Sequence, residues 1–271
     1  MEARLRSTGT SGDREEKVLQ MNQVKLGDSK AHQGSTARKD IWWLEPALIA
    51  VGFTLFIIYG TWRVFENNLY EVDQFLSPFY SPKITLSFWK YSPAMLILWI
   101  PGGFRATCYY YRKAYYRSYF MDPPACGVGH HGGESYCGET SFPFILQNLH
   151  RYFFYLACIV LAFLWWDAAI AFITPDGKFS VSVLALVMVA NCFLLSCYSF
   201  GCHAYRHLCG GALDCFTSCS RSKMRFKIWN FVTKLNEHHM MWAWLSLFSV
   251  AFTDFYIRQV AAGAMDRIVL F

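Results

Sequence analysis

Charge is scarce in this chain. Asp, Glu, Lys and Arg together make up only 16% of its 271 residues, whereas 54% are hydrophobic and 18% aromatic. That balance excludes an ordinary soluble domain and, over most of the length, a disordered one. Ten cysteines over this length are also too sparse for a secreted disulfide scaffold. The first forty residues contain no apolar run, so the hydrophobic core of a signal peptide is lacking there. No transporter-type internal repeat is visible either.

Long apolar stretches are what the sequence does have. They fall at 43–65, 84–104, 150–173, 181–204 and 238–257, each close to the roughly 20 residues that cross about 30 Å of hydrocarbon as a helix. The expected fold is therefore all-α, an integral membrane bundle of about five transmembrane helices. Residues 1–42 would form a polar cytoplasmic arm, 43–260 the anchor domain and 261–271 a short outer tail. The second span is the weakest, because Lys90 lies near one end and Pro93 and Pro101-Gly102-Gly103 interrupt it.

Placing the N-terminus inside puts nineteen of the 25 Lys and Arg residues on the cytoplasmic side, in 1–42, 105–151 and 204–237. The positive-inside rule supports that orientation in a plasma membrane. Trp42, Trp43, Trp62, Trp89, Trp165 and Trp166 then sit near span ends, as an aromatic belt does. Asp167 and Asp254 lie toward the outer ends, within reach of headgroups or of Arg63 or Arg258. Cys158, Cys192 and Cys197 fall inside spans and read as packing residues.

No histidine is expected on the outer side. His150 opens the third span, Cys202, His203, His207 and Cys209 close the fourth, and His238-His239 open the fifth. Cys108 adds a thiol just past the second span. His130, His131, Cys126, Cys137, Cys215 and Cys219 occupy inner loops. On a helix His203 and His207 share one face, while adjacent His238 and His239 cannot both face the bundle, with His239 favoured. An antiparallel bundle gathers such helix ends, so ligands from several helices could enclose one centre at the inner edge. Mixed thiolates and imidazoles suit structural zinc, or an iron–sulfur centre in which two histidines replace two cysteines. Histidines on facing helices without thiolates would suit haem b instead. The basic aromatic run Arg105 to Phe120 reads as a docking surface or a lipid contact.

The runs Phe88-Trp89-Lys90-Tyr91-Ser92-Pro93, Pro101 to Tyr110, Leu149-His150-Arg151-Tyr152-Phe153-Phe154, Cys202-His203-Ala204-Tyr205-Arg206-His207 and Asn236-Glu237-His238-His239 carry a resemblance. Taken as a set over about 45–260, they resemble the membrane-anchor subunit of an actinobacterial-type succinate dehydrogenase, the single-anchor class found in mycobacteria. The resemblance implies an anchor for a flavoprotein subunit and an iron–sulfur subunit that passes electrons from succinate oxidation to menaquinone or ubiquinone. It implies a Rieske-type [2Fe–2S] cluster with two His and two Cys ligands where many relatives carry haem b. The ligands would be His203 or His207 with His239 or His150, and cysteines from Cys108, Cys202 and Cys209. Arg105, Tyr109, Tyr152, Trp229 and His238 are the candidate quinone contacts. The succinate site would lie on another subunit. Partners are then the two soluble subunits, quinone and the bilayer, with no nucleic acid and with higher oligomers of the complex left open.

Overall fold

The computed structural model describes residues 34–129, 140, 142, 144–211, 215 and 220–270. Among them four helices are long and apolar enough to cross a membrane: α1 (Leu44–Glu66), α4 (His150–Ile170, extended by a 3-10 turn over Phe144–Leu149), α5 (Val183–Phe200) and α8 (His239–Ala261). Pro46 is tolerated in α1 because it lies in the first turn, where its missing N–H leaves no carbonyl unpaired. The helix stops at Asn67, whose left-handed φ of 48° turns the chain out. Ser182 caps α5 by accepting the Ala185 N–H at 3.2 Å.

The stretch expected to form the second span is not a continuous helix. It contains a 3-10 turn at Pro93–Leu96 and the eight-residue α2 (Trp99–Ala106), and the residues before them are not helical. Pro93 and Pro101 cannot donate to a helical ladder, and the helix forms only where Pro101 can occupy its first turn. The chain still traverses the bundle here. Ser77 bonds to Asp254 near one end of α8, whereas Arg105 donates to the Ala243 carbonyl near the other. The second crossing is thus broken, and its irregular backbone is packed among the other helices as apolar surroundings require.

Packing is densest between α5 and α8, with α4 on the other flank of α5. Ala157, Ala168, Ala185, Ala243, Ser199 and Ser246 are buried, and such small residues let membrane helices approach closely. Cys192 and Cys197 are buried among them, and the Cys192 thiol donates to the Leu164 carbonyl. Ser249 reaches Asn191 at 3.0 Å between α8 and α5. By contrast Leu48, Val51, Leu55, Ile58 and Phe65 of α1 are exposed, the arrangement of a helix whose outer face meets lipid.

One end of the bundle is closed by a hairpin, β1 (Glu71–Val72) with β2 (Phe75–Leu76), and by the tail, whose Ile268 and Leu270 pair with Val183 and Val181. The other end is basic. It carries α3 (Tyr109–Tyr115), the four-residue α6 (His203–Arg206), a π-type turn over His207–Gly211, and α7 (Ser220–Glu237). Thr36 and Arg38 of the arm bond to the Gly127 and Cys126 carbonyls there. His130, His131, Cys137, Cys219 and most of the arm lie outside the described residues.

Candidate functional site

Two cysteines occupy matching positions at the basic end. Cys108 immediately precedes α3 and Cys202 immediately precedes α6, each with extended backbone (φ −69°, ψ 132° and φ −71°, ψ 148°). The chain bends at both points, so each thiol turns back under the bundle and is buried to 2% exposure. Burial pushes the Cys108 thiol above its ordinary range and that of Cys202 up to about 12. The N–H groups of Tyr110 and Tyr111, and of Ala204 and Tyr205, point at the two sulfurs and oppose that shift. Such amides favour thiolate, the form that binds metal.

Each thiol is met by an imidazole from a different helix. His150 Nε2 lies 2.8 Å from Cys202 Sγ, and its Nδ1 lies 3.0 Å from Thr107 Oγ1. His239 is fully buried; its Nε2 approaches Cys108 Sγ at 3.6 Å, and its Nδ1 has no hydrogen-bond partner among the described residues. Aromatic rings fill the space between the pairs. Phe104 stacks on His150 (4.9 Å, 8°), Tyr198 on His239 (5.0 Å, 24°), and Phe104 meets Tyr198 edge-on at 5.4 Å. Arg105 lies 4.6 Å over the Tyr198 ring and donates to Tyr111, the Ala243 carbonyl and Ser246. The arrangement is two mixed pairs: among the described residues no three His, Cys, Asp or Glu side chains converge on one point.

His203, His207 and Cys209 stand apart from this layer. His203 and His207 are exposed and share a face as their spacing requires, but that face lines a cavity of about 510 Å³. The cavity also takes in His150, Tyr152, Arg206 and Trp229. Arg206 sits 4.5 Å over the Trp229 ring, and Arg151 lies 3.2 Å from His207 Nδ1. Cys209 is half-buried, and its carbonyl accepts from Arg225. Of the five expected quinone contacts, Tyr152 and Trp229 share this cavity. Arg105 instead borders an apolar cavity of about 480 Å³ beside α1, while Tyr109 and His238 are exposed and line neither. Sequence reasoning passed over Phe104 and Tyr198. The signal was present: each precedes a site cysteine by four residues, one helical turn, in Phe104-Arg105-Ala106-Thr107-Cys108 and Tyr198-Ser199-Phe200-Gly201-Cys202.

The family model for the actinobacterial succinate dehydrogenase subunit SdhC matches residues 44–263, which takes in every helix and each site residue named above. The chain belongs to that family. It is thus a multi-pass membrane-anchor subunit of an actinobacterial succinate dehydrogenase. The solved Mycobacterium smegmatis Sdh1 complex in the apo form contains a chain of similar fold, with a TM-score of 0.80 and 40% identity over 87% of this chain and 94% of that one. No curated protein sequence matches.

Gly201 of this SdhC-family chain lies tight against backbone. A methyl group there would sit 2.7 Å from the Cys197 carbonyl oxygen and 3.2 Å from His239 Nδ1. Gly201→Ala is expected to cost about 1–3 kcal/mol through overpacking. Thermal unfolding in detergent checks this, and an unchanged midpoint would contradict the close approach.

Proposed function

We propose that this anchor seats the flavoprotein and iron–sulfur subunits on its basic end and passes electrons from succinate oxidation to a membrane quinone by way of a Rieske-type [2Fe–2S] centre. The observation that carries the reading is the meeting of two imidazoles and two thiols from separate elements in one buried layer beside the 510 Å³ cavity. The donor set fits such a group. A single zinc ion needs three or four ligands about one point, whereas a Rieske-type binuclear centre would take its four donors over a wider space, the two thiols for one iron and the two imidazoles for the other. The buried, unpartnered Nδ1 of His239 is the kind of orphan that a ligand satisfies. Haem b takes imidazole ligands without thiolates, so the thiols that meet His150 and His239 favour the cluster.

When bound, the centre would accept and return single electrons, at a potential that imidazole ligation raises above that of an all-cysteine cluster. His150, His239, Cys108 and Cys202 would hold it. Thr107 fixes the His150 ring, and the amides after each cysteine favour thiolate. Arg105 brings a fixed positive charge near by. In the cavity, Tyr152, His203 and His207 line the wall with Trp229 and would bring hydrogen-bond donors to the quinone carbonyls, with His203 or His207 passing the protons that reduction consumes. Around α3, Tyr109, Arg112, Lys113, Arg117 and Tyr119 offer the Tyr- and Arg-rich composition of a protein interface. The positive-inside bias supports a cytoplasmic position for this end in a plasma membrane.

Low-temperature electron paramagnetic resonance on the dithionite-reduced complex, paired with a haem difference spectrum, tests the reading. The expected result is a Rieske-type signal and no haem bands. Haem bands without that signal would overturn it.

A further inference from the structure

Helix α7 carries a pattern that docking of the soluble subunits does not require. Its 18 residues contain Lys223, Lys227 and Lys234, which fall within an arc of about 40° at 100° per residue. Met224, Ile228 and Phe231 form a neighbouring strip about 60° wide by the same rule, and they are 59%, 41% and 63% exposed. The face opposite the lysines is the packed one. There Val232 is buried, Arg225 donates to the Leu208 and Cys209 carbonyls, Trp229 lies under Arg206, and Asn236 donates to the Gly201 carbonyl.

Those contacts also fix how the helix runs. Asn236 touches Gly201, next to Cys202, which pairs with His150; Trp229 lines the cavity that His150 and Tyr152 border. Seven residues of helix rise about 10 Å, yet both positions meet the same layer at the end of α4 and α5. Helix α7 therefore runs across the bundle end rather than away from it. Its lysines point away from the bundle and its apolar strip to one side, at the level where the spans leave the hydrocarbon.

We propose that α7 is an interfacial helix that binds the headgroups of anionic phospholipids, its Met224, Ile228 and Phe231 strip dipping into the acyl boundary while the lysines engage phosphate. Charge complementarity favours lipid over protein here. Lysine is depleted at protein interfaces, where Tyr and Arg are enriched, and the outward face of α7 shows three lysines without an acidic partner among the described residues. Basic strips beside apolar ones are the pattern of helices that lie in the membrane plane. The inference rests on the chain spanning a bilayer and is independent of the redox reading.

Hydrogen exchange on the full chain tests it, in nanodiscs of phosphatidylcholine alone and of phosphatidylcholine mixed with phosphatidylglycerol. Each lysine near an anionic surface is worth about a fivefold factor, so amides of 223–236 should exchange about a hundredfold more slowly in the mixed discs. Lys223→Gln, Lys227→Gln and Lys234→Gln together should erase that difference, and Lys178→Gln at the opposite end should keep it. Unchanged exchange in α5 and α8 shows that the triple variant is folded; the Lys223→Gln, Lys227→Gln double variant should retain about a fivefold difference. Equal rates in both discs would overturn the proposal. So would slowing that appears only when the soluble subunits are added, whatever the lipid, which would make α7 part of their seat.

Discussion

Asp254→Ala should lower the stability of the anchor by about 3–5 kcal/mol, the usual cost of leaving one member of a buried ion pair without its partner. Asp254 is fully buried and Arg258, one turn later, is 2% exposed. The carboxylate accepts from Arg258 Nε at 2.9 and 3.1 Å, from the Tyr59 hydroxyl at 2.6 Å and from Ser77. The guanidinium donates onward to the Asn68 carbonyl at 2.5 Å and lies 3.7 Å from Glu66, which itself pairs with Arg63. Removing Asp254 strips the arginine of its closest counter-charge and leaves the Tyr59 and Ser77 donors unpaired. Glu66 cannot replace it, because it is already engaged and more distant. The double variant Asp254→Leu, Arg258→Met should recover most of the loss, since a buried pair replaced by apolar side chains is often neutral. Tryptophan-detected thermal unfolding in detergent reads both. If Asp254→Ala melts with the parent, the pair is not what holds the β1–β2 hairpin against α8.

The consequence reaches the opposite end through the broken crossing. Ser77 and Ser81 fasten the start of that segment, to Asp254 and to Asp167 at 2.5 Å, and Arg105 fastens its end to α8. A continuous helix would hold its own geometry through backbone bonds. This segment depends on side-chain anchors at its two ends, so loosening one should displace Cys108 at the other.

The spans were legible because length and apolarity are local properties. The stretches 43–65, 150–173, 181–204 and 238–257 match the helices within a few residues; helical geometry allowed only one of His238 and His239 to face the bundle, and His239, the one favoured, is buried. The second crossing was half legible: Pro93 and Pro101 announced an interruption, but not that helix would be confined to Pro93–Leu96 and Trp99–Ala106. What stayed hidden was which of the cysteines and histidines the fold brings together. Reading Cys202 to Cys209 as one straight helix puts His203 and His207 on one face and Cys202 and Cys209 on another. The actual chain leaves α5 at Gly201 and restarts at His203, so Cys202 turns inward while its neighbours turn to the cavity. A bend of that kind is decided by packing against Leu235, Asn236 and His239, residues far along the chain, and no local pattern encodes it.

That bend leads to the prediction with the sharpest outcome for the site. His239→Ala and Cys202→Ala, made separately in the complete complex, should each abolish the Rieske-type signal, because either removes one of the four donors that meet in the layer. His203→Ala and His207→Ala should leave the signal and the iron content intact, since both side chains are exposed on the cavity wall. Their effect should fall on quinone reduction, as a raised KM for quinone or a changed pH profile, with succinate oxidation by a soluble dye acceptor unaltered. Iron and sulfide analysis separates loss of the centre from loss of assembly when the two soluble subunits are quantified in the same preparation. The opposite pattern, with signal lost in the His203 or His207 variant and kept in His239→Ala, would move the centre out of the buried layer and into the cavity. The close approach of His239 to Cys108 would then be packing alone, and the cavity would have to hold a metal as well as, or instead of, a quinone.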